Sequence, residues 1–223
     1  MKLKKIFHIG DQHCFYFKKF EAHEFVFNEF YKEIEREKPD LIVCAGDLID
    51  SKLKLSPEQI TLARGFLLNL ASYCPVLIIL GNHDLNLQNK ERLDSISPLV
   101  NSLNNETKFP IHFFKHSGLY DLYNIKWAIW SCLDDQLAPK IIREDNDYVI
   151  GLYHGVTVNC VSDNGFILTE GIKLEEFKDC DKVFMADIHK QQFFDREVEK
   201  VISEDELEKY KNLPGFEIIE EVI

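Results

Sequence analysis

The chain has 223 residues, 45% hydrophobic and 29% charged, which argues against a disordered or fibrous chain and for one sizeable domain with a true hydrophobic core. The formal net charge is −12, and no Lys/Arg cluster stands out as a nucleic-acid-wrapping stripe. A polyanionic substrate would therefore have to be drawn by bound cations, by a local patch or by a partner.

Lys5–Ile9 reads as a short strand. Phe27, Phe30, Tyr31 and Ile34 then fall at i, i+3, i+4, i+7, one face of a helix. Leu41–Ala45 is a second apolar run. Ser56-Pro57-Glu58-Gln59 is a helix start, with Ser at the N-cap, Pro at the first helical position and Gln at the third. Ile60, Ala63, Leu67, Leu70 and Ala71 are its expected buried face, and Val76–Leu80 is a third strand. This β-α-β-α-β order implies a parallel sheet. A weaker helix near Ser95–Leu103 is expected to be interrupted by Pro98.

The second half is richer in strands: Ile111–Phe114, Tyr123–Ser131, Tyr148–Tyr153 and Val183–Met185. Ser162-Asp163-Asn164-Gly165 marks a turn. A charged helix is expected at Ser203–Lys211 and a short strand at Phe216–Ile219. The domain is drawn at 1–200, with 201–223 as an extension. The six cysteines are scattered singly with no C-x-x-C pair, which predicts reduced, mostly buried thiols and a cytoplasmic or nucleoid-associated protein. The N-terminus lacks an apolar signal segment. The most apolar window, Gly65–Leu80, is broken by Asn69, Ser72, Tyr73 and Pro75, so no membrane span is expected.

Five apolar runs end in residues of metal-ligand type. IFHI leads into Gly10-Asp11-Gln12-His13, LIVCA into Gly46-Asp47-Leu48-Ile49-Asp50, and VLIIL into Gly81-Asn82-His83-Asp84. VIGLY leads into His154-Gly155, and KVFMA into Asp187-Ile188-His189-Lys190. One strand-end Asp is usually a turn residue or a helix cap. Five in order predict one cleft beyond the carboxyl ends of the strands. Mixed oxygen and nitrogen donors without thiolate suit Mn²⁺, Mg²⁺ or Fe²⁺, and two such ions would relieve phosphoryl charge and activate water. If Asp11-Gln12-His13 and Asp187-Ile188-His189 are extended, residues i and i+2 share a face and both reach one ion. The glycines before Asp11, Asp47 and Asn82 are read as permitting tight turns.

These motifs resemble the calcineurin-like metallophosphoesterase superfamily: D-x-H, G-D-x-x-D/H, G-N-H-D/E, a lone H, then G-H-x-H, in order over Gly10–Lys190. The resemblance implies a four-layer α-β-β-α sandwich in the α/β class. It implies one metal on Asp11, His13 and His189, a second on Asn82, His154 and Asp187, and Asp47 bridging. His83 would sit beside the scissile phosphate and protonate the leaving oxygen or stabilise developing charge. Asp50 and Asp84 would orient ligands, Asp84 by bonding His83. Asp187 stands where most of the superfamily has His, which favours hard ions such as Mn²⁺ or Mg²⁺.

The Asp-Ile-His-Lys motif, with His154-Gly155 and Asp179-Cys180-Asp181, looks like the nuclease subunit of SbcCD-type double-strand-break repair nuclease–ATPase complexes. DNA is the substrate this implies. An SMC-like coiled-coil ATPase and a second copy of the chain are the protein partners to consider. Two departures are expected to matter. No glycine occurs between Gly171 and Gly215, so the Gly-Ser strand that closes the second sheet in relatives has no counterpart and the last strands should be missing or altered. The chain also ends before a DNA-facing cap or an ATPase-binding segment would fit, as in a short form or a piece of a longer protein. A cyclic-nucleotide or other small-molecule phosphodiesterase is the competing function, and a decayed non-catalytic scaffold the third. Among the aromatics near His13, Phe15, Tyr16 and Phe17 are candidates to touch substrate.

Overall fold

The structure is a computed structural model that describes residues 3–15, 20–51, 55–103, 105–189, 192–195 and 200–202. The expected helix at Ser203–Lys211 and strand at Phe216–Ile219 lie outside these residues. The first half is four parallel strands, β1 (Ile6–Ile9), β2 (Leu41–Cys44), β3 (Val76–Ile78) and β4 (Ile111–Phe113), side by side in chain order. The crossovers contain α1 (Phe20–Glu37), α2 (Pro57–Tyr73) and α3 (Ile96–Leu103).

Side-chain alternation sorts this sheet into two cores. Phe7, Ile9, Ile42, Cys44, Val76 and Ile78 pack on the three helices. Ile6, Leu41, Val43, Leu77 and Ile79 face the other way. Their partners are Trp127, Ile129, Ile150, Leu152 and Phe184 from a second sheet. That sheet runs β5 (Gly118–Leu122), β6 (Ile125–Trp130), β7 (Val149–His154) and β8 (Lys182–Ala186). β5 and β6 form an antiparallel hairpin, and β6, β7 and β8 are parallel. Full burial of each large side chain between the sheets contributes about 1.5–3 kcal/mol, so this interface fixes how the two sheets meet. Trp130, Tyr153 and Phe177 pack on the outer face, covered among the described residues by the 3₁₀ turn Leu174–Phe177. Among the described residues, β9 (Phe193–Asp195) and β10 (Lys200–Ile202) pair with each other as an antiparallel ribbon.

Two local expectations are corrected. Ile60 is 40% exposed, and the buried face of α2 is Gln59, Ala63, Phe66, Leu67, Leu70 and Ala71. Gln59 is drawn in because its side chain closes the capping box with Ser56 and also donates to the Cys14 carbonyl. Pro98 does not interrupt α3. It sits in the first turn, where its missing N–H has no intrahelical partner to lose, and Asp94 caps the turn by accepting from the Ile96 and Ser97 amides. The β5 strand has no counterpart among the sequence-based expectations; its half-exposed, weakly apolar sequence gives little period-2 signal.

Candidate metal centre

Every described strand of ligand-bearing sequence ends at one place, but the cleft lies between two sheets. β1, β2 and β3 deliver Asp11, His13, Asp47, Asn82 and His83 from the first, while β7 and β8 deliver His154, Asp187 and His189 from the second. His154 follows Ile150 and Leu152 on the inward face of β7. Its Nδ1 donates to the Ala45 carbonyl at 2.7 Å, which leaves Nε2 facing Asp47 Oδ2 at 3.2 Å and Asp187 Oδ1 at 3.7 Å. His13 Nε2 lies 3.7 Å from the same Asp47 oxygen and 4.0 Å from Asp11 Oδ1. Asn82 Nδ2 donates to Asp187 Oδ1 at 3.2 Å.

Three overlapping groups could hold a cation: Asp11, His13 and His189; Asp11, Asp47 and His154; and His13, Asp50 and His83, with donor atoms within 4.8 Å in each. The donor set fits divalent metal on physical grounds. Three carboxylates converge, from Asp11, Asp47 and Asp187, and no lysine or arginine pairs with them among the ion pairs of the described residues. His154 Nε2 is fully buried and directed at the Asp47 and Asp187 carboxylates, so that a proton or a cation must sit among them to offset the buried negative charge.

The titrations reflect that crowding. Burial pulls His154 down, but the Asp47 carboxylate outweighs it and raises the imidazole to about 9. Burial would raise Asp47, and His154 holds it below its ordinary value instead. Asp187 is raised by burial, with Asp47 and Asp11 adding to the effect. Burial lowers His13 despite Asp47 and Asp11.

The backbone is bent to make this arrangement. Asp11, His13, Asp47 and Asp187 all have positive φ, at 58°, 41°, 53° and 99°. The extended geometry expected for Asp11-Gln12-His13 and at Asp187 is therefore wrong; their side chains converge through left-handed turns, which Asp tolerates better than most residues. Such strain persists where the surroundings over-determine it. The reading of the glycines also changes. Gly46 does occupy a left-handed turn (φ 98°), but Gly10 and Gly81 are required by close approach. A Cβ on Gly81 would lie 2.1 Å from Asp47 Oδ1, and one on Gly10 would lie 2.4 Å from Ala186 Cβ.

Asp84 does not bond His83, contrary to the expectation from the motif. It is fully buried and accepts from the amides of Asp47, Ile49 and Gly81 at 2.9, 3.0 and 2.9 Å. Burial, then the Asp47 charge, raises it to about 7. It is the clasp that joins the Gly81–Asp84 turn to the Asp47 turn. His83 is oriented by Asp50 instead: its Nδ1 donates to the Asp50 carbonyl at 2.6 Å. The Asp50 carboxylate lies 3.8 Å from His13 Nδ1.

Other supports had no sequence motif. His23 Nε2 reaches the carbonyls of His13 at 3.1 Å and Gln12 at 3.3 Å, and Gln136 Nε2 donates to the His154 carbonyl. Phe15 packs edge-on against His23, while Tyr16 and Phe17 lie outside the described residues. His8 is a packing residue stacked on Phe184. All six cysteines are buried free thiols, and no helix among the described residues is long and apolar enough to cross a membrane.

Two packed sheets that gather carboxylate, imidazole and carboxamide groups between their strand ends define a metal-dependent phosphoesterase. The chain belongs to the calcineurin-like phosphoesterase family, whose model matches residues 4–197. An uncharacterised protein of Acanthamoeba polyphaga mimivirus is 36% identical over 206 residues, covering 86% of this chain and 15% of its own length. A component of the nuclease SbcCD of Staphylococcus epidermidis is 38% identical over 76 residues, covering 33% of this chain and 19% of its own length. The match thus takes in less than a fifth of either relative. Among solved structures, the Pseudomonas putida nuclease MPE superposes with a TM-score of 0.39 at 14% identity, over 73% of this chain and 66% of that one.

Proposed function

We propose that the chain is a DNA nuclease that hydrolyses phosphodiester bonds with two divalent cations, Mn²⁺ in preference to Mg²⁺ or Fe²⁺. Asp11, His13 and His189 hold one cation, Asn82, His154 and Asp187 hold the other, and Asp47 bridges them. One observation carries this reading. Asp47 Oδ2 faces His13 Nε2 and His154 Nε2 at 3.7 and 3.2 Å, while Oδ1 is pinned by the His83 amide at 2.8 Å. A carboxylate fixed on one side and open toward two imidazoles from different sheets is suited to serve two ions.

When bound, the cations would supply charge relief at the phosphoryl oxygens and an activated water. The chain's own residues do the rest. With His83 Nδ1–H donating to the Asp50 carbonyl, Nε2 is left for the leaving oxygen, and it would give up a proton there only from the doubly protonated imidazolium, reverting to the neutral Nδ1–H form. Asp187, an anionic ligand in place of a neutral imidazole, biases the second position toward hard ions. The likeness to a subunit of the nuclease SbcCD supports a nuclease, and the resemblance of the Asp187-Ile188-His189-Lys190 motif to such subunits is the ground for DNA as substrate and a coiled-coil ATPase as partner.

The net charge of −12 favours a second reading, a phosphodiesterase for cyclic nucleotides or other small diesters. The purified chain with Mn²⁺, offered labelled single-stranded and duplex DNA beside bis-p-nitrophenyl phosphate and cyclic nucleotides, separates the two. DNA cleavage supports the nuclease. Turnover of small diesters without DNA cleavage, even with a candidate ATPase added, decides for the second.

A further inference from the structure

Between β7 and β8 the chain leaves the site, makes a small hairpin and returns to it. Asn159 N donates to the Leu168 carbonyl and Leu168 N to the Cys160 carbonyl, both at 2.8 Å; Ser162 N donates to the Phe166 carbonyl at 2.9 Å. The side chain of Gln192 clasps Val161 from both directions, accepting from its amide at 2.8 Å and donating to its carbonyl at 2.9 Å. The base of the hairpin is buried at Thr157 and Cys160. Its tip touches the metal-site rim, where Asp163 Oδ2 lies 3.5 Å from His189 Nδ1.

This anchored tip displays Phe166, 71% exposed and the most exposed large hydrophobic side chain among the described residues, beside Ile167 at 65%. Single exposed apolar residues are ordinary. Two in succession, on a tip held by hydrogen bonds and tied to a site histidine, are not explained by packing. Phe166 is three positions beyond Asp163, so their Cα atoms lie within roughly 11 Å of each other. The tip that carries the ring therefore stands at the rim, where a base flanking a phosphate at the site would lie. In a chain of net charge −12, stacking supplies affinity for nucleic acid that does not depend on charge.

We propose that Phe166 is a stacking platform for an unpaired base next to the scissile phosphate, so that single-stranded or frayed nucleic acid is preferred to intact duplex. The inference rests on the nuclease reading and narrows its substrate.

The test uses the full chain with Ca²⁺ in place of Mn²⁺ to limit cleavage, and a short fluorescein-labelled oligothymidylate followed by anisotropy. Wild type is expected to bind it more tightly than a blunt duplex. Phe166→Ala and Phe166→Leu should each weaken binding about 5- to 100-fold with unchanged thermal melting, while Phe166→Trp retains it. Phe25→Ala, which removes an aromatic 67% exposed on α1, should bind as wild type and controls for general loss of surface aromatics. Wild type that cleaves DNA while Phe166→Ala binds it undiminished overturns the platform alone. Phe166→Leu matching wild type overturns stacking in the same way. Wild type that neither binds nor cleaves DNA yet hydrolyses bis-p-nitrophenyl phosphate overturns the nuclease reading, and the platform with it.

Discussion

Gly10→Ala tests how tightly the meeting of the two sheets controls the site. Gly10 follows β1, and Ala186 is the last residue of β8. A methyl group at position 10 would stand 2.4 Å from Ala186 Cβ, whereas its next neighbours, Ala186 Cα and Ala45 Cβ, are both at an ordinary 3.8 Å. Carbon atoms rest at about 3.5–4.0 Å, so the strand ends must part by roughly 1 Å. Asp11 and Asp187 are the next residues on either side of this seam. The Asp187 amide donates across it to both Asp11 oxygens, at 3.2 and 3.0 Å. Overpacking of this kind costs about 1–3 kcal/mol of stability. A displacement of ~1 Å at the reacting groups costs on the order of 100-fold in rate.

The second variant sharpens the test. Ala186→Gly alone should cost only about 0.5–1 kcal/mol, the ordinary loss for glycine within a strand. The double variant Gly10→Ala/Ala186→Gly removes the single clashing contact and should recover most of the stability and activity. Urea denaturation and Mn²⁺-dependent turnover of bis-p-nitrophenyl phosphate read the two effects. The reasoning fails if Gly10→Ala keeps wild-type values, or if the double variant is no better than Gly10→Ala.

Three further outcomes are expected. Cation binding must displace the proton that Asp47 holds on His154, so apparent Mn²⁺ affinity by calorimetry should rise between pH 6.5 and about 9; a flat profile would remove His154 from the ligand set. The metal-free protein carries the opposite linkage: the raised folded value means this pair stabilises fully below pH 6.5 and its contribution is lost as pH climbs through about 9. Asp84→Asn can keep its oxygen toward the Asp47 and Gly81 amides, which share Oδ2, but must then turn its NH₂ toward the Ile49 amide and leave that buried donor unmet. It should lower metal-free stability by about 1–3 kcal/mol in denaturant, and an unchanged midpoint would contradict the clasp. Asp94→Ala removes the α3 cap and the 2.7 Å Lys115 pair, for a loss of about 1–2 kcal/mol at neutral pH. Burial opposes ionisation of Asp94, but Lys115 and Ser97 hold its carboxyl below the usual value of 3.8. Its contribution is therefore present above that value and lost as pH falls through the depressed one. Wild type and variant should converge in acid, and a constant difference would refute the charge assignment.

The amino-acid sequence by itself determined which side chains stand at the strand ends, because a short buried strand followed by glycine and Asp, His or Asn is a local pattern. The capping box at Ser56 was local too. Partners across long separations were decided only by the packed structure. Asp84 bonds residues as far away as Asp47 rather than its neighbour His83, and His154 finds a carbonyl 109 positions earlier in the chain. Nor could the pattern show that Asp11 and His13 converge through left-handed turns, since backbone angles there are set by contacts with Gly46 and Asp47. Periodicity reports which face of an element is apolar; which atoms meet beyond its end depends on how two sheets, built from opposite halves of the chain, bury their facing sides against each other.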